Sequence, residues 1–173
     1  MPDLRLAHYQ AAAVESILQA NLETKLTAIT AEIGDSLALR APAAAQYYRG
    51  AGAEDLAFSG ALPAFVLRWE GLVYPDAYRS EKLRQHAWSL LFVEECNVAV
   101  GGLTPQEVLE ERCQRVMVGV AQCFQDNLQL VVSSVSYASA ILIDRVVPTE
   151  PVVEEDLWTR SIYMLFRCAF GHS

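Results

Sequence analysis

Hydrophobic and polar positions alternate most clearly late in the chain. Trp158, Ile162, Met164, Phe166, Cys168 and Phe170 alternate with Thr159, Ser161, Tyr163, Arg167 and Ala169, and only Arg160 and Leu165 break the pattern. A period of two buries one face of a strand and leaves the other polar or against a partner, so this stretch is expected to finish a sheet. A second long strand is expected with His86, Trp88, Leu90, Phe92, Cys96, Val98 and Val100 on one face, stopped by Gly101-Gly102. The run from Leu62 to Glu70 reads as a strand entered through Pro63, a position where the missing donor is tolerated. Strand character returns between Leu128 and Val147, at Leu128, Leu130, Val132, Ile141 and Ile143.

Two segments carry the helical period. From about Ala7 to Ile33, an apolar stripe runs through Val14, Ile17, Leu18, Leu22, Leu26, Ile29 and Ile33, with Asp3 placed to cap the start and Gly34-Asp35 to end it. The second helix announces itself through Thr104-Pro105-Gln106-Glu107, a capping threonine, a proline at the first helical position and a glutamate three after the cap. Leu109, Cys113, Val116, Met117, Val120 and Phe124 then line one face, and Asp126-Asn127 closes it. Residues 35–62 are expected to be an irregular connection with a short helical turn at Ala43 to Tyr48, and Pro148 to Asp156 an acidic loop that projects. Helices and strands mix without a regular βαβ rhythm. The expectation is an α+β domain over residues 1–173, a mainly antiparallel sheet of about four strands packed with two amphipathic helices.

Composition adds a partner to this picture. Hydrophobic residues make up 53% of the chain and mean hydropathy is +0.18, which suggests apolar surface buried against other subunits. No run reaches the ~18 apolar residues of a membrane span. The opening Met1-Pro2-Asp3-Leu4-Arg5 lacks the basic-then-apolar pattern of a signal peptide, so a reducing compartment is expected. A net charge of −8, with Lys25 and Lys82 the only lysines, argues against a phosphate-binding surface. It is compatible with ordinary solubility, or with a surface past which DNA slides without adhering.

Chemistry is sparse. His8, His86 and His172 are isolated, and Cys96, Cys113, Cys123 and Cys168 are widely spaced in apolar settings, which fits buried thiols and no metal site. His86 is expected to be partly buried and bonded to the backbone. Glu94 shares the face of Phe92 and Cys96, where a carboxylate is costly without a partner. It is either a general acid with a raised pKa or, more simply, half of an interchain ion pair or a protruding strand end. No phosphate-binding glycine loop or nucleophile elbow occurs. No catalytic, cofactor-binding or metal-binding residues are therefore assigned, and no cofactor. The candidate sites are interface residues: Tyr47, Tyr48, Arg49, Trp69, Tyr74 and Tyr78, aromatic and arginine positions of the kind that dominate interfaces, and Val152, Val153, Glu154 and Glu155 of the acidic loop.

The order of elements resembles that of phage tail terminators and closely related tail-completion or neck proteins. The resemblance is carried by the opening helix with Leu18, Leu22 and Ile29, by Leu62-Pro63-Ala64-Phe65-Val66 leading into a strand, and by the long strand from Trp88 to Val100. The helix from Thr104 to Phe124, followed by Asn127-Leu128, and the closing Ile162 to Phe170 complete it. Residues 34–61 and 148–156 are longer than the compact pattern requires. The resemblance implies a virion protein made in the host cytoplasm: a hexameric ring that ends the tail tube, docks to the head connector and lets DNA through its lumen without specific binding. It brings no catalytic residues. A head-completion or stopper ring is the alternative within the same assembly. A small soluble binding domain or enzyme using Glu94, Glu95 and His86 is the alternative from another class.

Overall fold

The structure is a computed structural model, and it describes residues 2–50, 60–73 and 83–171. Helix α1 spans Pro2–Ile33, so it begins before Ala7 and Asp3 lies within its first turn instead of capping it. It stops where Gly34 takes φ 69° and donates its N–H to the Thr30 carbonyl at 3.0 Å, the left-handed exit that glycine adopts without steric cost. Ile33, at the frayed end of the stripe, is exposed. Helix α2 spans Pro105–Asp126 and opens as its sequence dictates: the Glu107 N–H donates to Thr104 Oγ1 at 3.3 Å, while the Glu107 carboxylate accepts the Thr104 N–H at 2.8 Å. That backbone hydrogen bond, with the Thr104 hydroxyl, holds the Glu107 carboxyl below the usual glutamate range.

Among the described residues there are eight strands, numbered in chain order. They are β1 Tyr47–Arg49, β2 Ala64–Val73, β3 Leu83–Cys96, β4 Leu130–Val132, β5 Val135–Ala138, β6 Ala140–Pro148, β7 Val152–Glu154 and β8 Leu157–Gly171. The main sheet has six strands in the order β1-β2-β3-β8-β6, with β7 also on β8, and every pairing is antiparallel except β1 with β2. Strands β4 and β5 form a separate hairpin. The class is thus α+β with two helices and a mostly antiparallel sheet, and the expected sheet of about four strands holds only roughly, since the main sheet has six. The additions are short: β1 sits where an irregular connection was expected, just after a 3₁₀ turn at Ala44–Gln46, and β7 lies inside the acidic loop. At the other extreme β3 ends at Cys96, so Val98 and Val100 lie beyond the strand and Val98 is exposed.

Both helices pack on one face of the sheet. His86, Trp88, Leu90, Phe92, Glu94 and Cys96 of β3 face them, as do Arg160, Ile162, Met164, Phe166, Cys168 and Phe170 of β8. Arg160 and Leu165 therefore break the composition of β8 without breaking its alternation: Arg160 is on the helix face and Leu165 on the other. The helices approach closely at Gly119, where a Cβ would lie 2.9 Å from Leu26 Cδ2 and 3.1 Å from Leu22 Cδ1. Phe124, fully buried, tilts against Phe166 with ring centroids 5.0 Å apart. The opposite face carries a smaller buried cluster, Ala64, Val66, Leu91 and Val93, with Tyr48, Leu62 and Tyr163 packed against it.

Phe124→Ala should cost about 3–5 kcal/mol of stability, since the cavity opens between helix and sheet. A urea unfolding midpoint unchanged from the parent would show that this face of α2 is not core.

Candidate functional site

Two features stand out where α2, β3 and β8 meet: a buried carboxylate among arginines, and beside it the turn of the β7–β8 hairpin. Glu94 is 1% exposed. Its carboxylate lies 3.6 Å from Arg112 of α2 and 3.9 Å from Arg40 of the connection after α1. One Glu94 oxygen and the Arg112 Nε are buried without a hydrogen-bond partner, so the charges are close but incompletely satisfied. Directly across the strand pair from Glu94 is Arg160, which reaches Glu110 of α2 at 3.2 Å. The expected interchain partner of Glu94, or a protruding strand end, is replaced by an intrachain pairing. A helix packed over the strand supplies the arginine, a contact that neighbouring positions in the chain do not disclose.

Burial pushes the Glu94 carboxyl up to about 7, against the opposing pull of Arg112 and Arg40. Arg40 and Arg112 also line an open cleft of about 240 Å³, together with Glu95, Asn97 and Leu157. The neighbouring connection is pinned by Asp35, which accepts from Arg115 of α2 at 2.7 Å and from the Leu37 N–H at 3.0 Å. The arginine, then the Leu37 N–H, holds the Asp35 carboxyl low.

His86 is fully buried, and its Nδ1 meets Gln10 Oε1 of α1 at 2.6 Å, a side-chain partner where a backbone bond was expected. Gln10 in turn donates to the Tyr137 carbonyl at 2.8 Å, tying α1 to the β4–β5 hairpin. At ~3.3 Å per residue, His86 and Glu94 stand roughly 26 Å apart along β3. They cannot act on one substrate atom, and Glu95 points to the other face of the sheet.

The structure separates the expected interface residues. Tyr47 packs on Phe65 with its hydroxyl buried and unpartnered, which pushes its pKa up through desolvation. Tyr48 belongs to the outer-face cluster, and Arg49 Nε donates to Glu15 at 2.7 Å. These three residues serve the fold as much as any surface. Trp69 is partly exposed, while Tyr74 and Tyr78 lie outside the described residues. Val152, Val153, Glu154 and Glu155 are all exposed. They form no loose loop: β7 pairs Val152 with Thr159 and Glu154 with Leu157, closed by Glu155 and Asp156 at φ 47° and 70°. Positive φ at both central residues is the geometry of the tight primed hairpin turn, reached here without glycine or asparagine.

Desolvation pushes the buried thiols up, Cys113 to about 12, Cys123 to about 11 and Cys168 to about 12. Among the described residues no group of three or more His, Cys, Asp or Glu is arranged to hold a metal, and no described helix is long and apolar enough to cross a membrane.

The folded state holds the Glu94 proton more tightly than the unfolded chain. Its stabilising contribution is therefore full below about pH 4.5 and is withdrawn as pH rises toward about 7. Glu94→Gln should remove that slope, so that the variant gains relative to the parent across this window and no further above it; parallel stability–pH profiles would refute the buried titration. Iodoacetamide should label Cys113, Cys123 and Cys168 far more slowly in the native protein than in urea, and rapid native labelling would place them at the surface. No protein-family model and no curated protein matches this chain, so its role must be argued from the geometry above.

Proposed function

We propose that this chain is a structural subunit of a phage head–tail junction, a ring that ends the tail tube and docks it to the head connector. The observation that carries the reading is the β6–β7 side of the sheet. There Val146 and Val147 of β6 and Val152 and Val153 of β7 are 38–57% exposed, on two strands that among the described residues pair only with β8. Aliphatic side chains gathered on a sheet edge call for a protein neighbour. The order of elements, two helices on a mostly antiparallel sheet closed by β8, accords with the tail-terminator resemblance. Net charge of −8 suits a conduit: carboxylates around a lumen repel phosphates within about 8 Å at physiological salt. The same lateral surface would serve a head-completion ring equally well, with a different face toward the connector. An enzyme gains nothing from the structure, because His86 and Glu94 do not converge.

Light scattering of the purified chain at micromolar concentration, together with imaging of assembled particles, should show a closed ring, with six copies the expected number. A chain that stays monomeric, and forms no ring in particles, would overturn the reading.

A further inference from the structure

The turn at Glu154-Glu155-Asp156 presents three carboxylates, and among the described residues none of them lies within ion-pair distance of a cation. Most other acidic groups near the sheet and helices are matched: Glu15 with Arg49, Glu70 with Arg68, Asp126 with Lys25, Asp144 with Arg167. The backbone of the turn is set by two left-handed residues and by β7 pairing on β8, which fixes where its carboxylates start. Val152 and Val153 flank it with exposed apolar surface.

The Arg40–Arg112 cleft has the opposite deficiency. Arg40 has 61% of its side chain exposed and only the distant Glu94 oxygen for company, at 3.9 Å. Arg112 shares that same oxygen, and its Nε is buried with no partner. Glu95 also borders the cleft, at its rim, and the Glu94 carboxyl lies buried beneath the two guanidinium groups. Leu157, the residue after the turn, lines the cleft of its own chain, yet among the described residues no ion pair joins the turn to Arg40 or Arg112.

We propose that the Glu154-Glu155-Asp156 turn of one copy docks in the Arg40–Arg112 cleft of a second copy of this chain, each copy giving one turn and receiving one. Both complementary halves are present on the chain; the turn has no cation partner among the described residues, and the two arginines share one buried carboxylate oxygen. Exchange between copies satisfies both, with Val152 and Val153 covered in the same contact. The inference needs self-association but no particular ring size and no particular place in a virus.

A charge-swap experiment on the full chain tests it, read by sedimentation velocity at about 0.05 M and about 0.5 M salt. Arg40→Glu and, separately, Glu154→Lys with Glu155→Lys should each weaken association about 10-fold or more. An equimolar mixture should restore it, since every turn then meets an opposite charge. Arg40→Gln gives a milder version, and circular dichroism melts confirm folding; both mutated sites are exposed. A monomeric parent, association indifferent to either reversal, or no rescue on mixing would overturn the proposal. A reciprocal pair of copies that goes no further would sustain it while removing the ring reading, and a salt-sensitive ring would sustain both.

Discussion

The molecule depends on one long pairing. Strands β3 and β8 run antiparallel in unbroken register from Leu83 opposite Gly171 to Cys96 opposite Trp158. With a period of two, that register decides at once which side chains of both strands meet the helices, and a slip of β8 by one residue would turn Met164 and Phe166 to the other face while Phe92 of β3 stayed in place. Everything else is added to this ladder. Strand β2 extends it on one side, β6 and β7 on the other, and α1 and α2 cover the face it makes apolar. The closeness of the helices at Gly119 follows from their need to sit together over a surface only a few strands wide.

The same register places the polar exceptions. Glu94 and Arg160 are opposite one another on the helix face, and neither is paired to the other as its main partner: Glu94 looks to Arg112 and Arg40, Arg160 to Glu110. The end of the sheet is thereby joined to α2 and to the connection after α1 by charge, where the middle is joined by aromatic and aliphatic packing. A buried ion pair of this kind fixes orientation more surely than it adds stability, because desolvation offsets much of the attraction.

Much of this was legible in the chain. The Thr104–Glu107 cap has a local mechanism, so α2 could be read almost to the residue, and the alternation from Trp158 onward fixed the inner face of β8. The short elements were not legible. Strand β1 has three residues amid alanines and glycines, too few to show a period, and it exists because β2 offers it a parallel edge. Strand β4 was legible at Leu130 and Val132, but the hairpin turns at Ser133-Ser134 and Glu155-Asp156 use left-handed backbone without glycine or asparagine, so β5 and β7 were not separated out. For the candidate site, Glu94 was visible as an expensive residue, but its arginines come from elements distant in the chain. Tyr47, an aromatic beside an arginine, looked like surface and proved to be packing.

Strand β6 interrupts itself as well as presenting apolar side chains. Its ladder with β8 shifts between Ile143 and Arg145, and Pro148 and Pro151 remove backbone donors farther along. A bulge and two prolines leave no long, regular row of free N–H and C=O groups for another strand to copy. What such an edge offers a neighbour is its side chains, whose shapes and charges are particular, more than a backbone that is the same in every protein. An apolar edge broken in this way is a poor template for runaway strand-on-strand fibre growth.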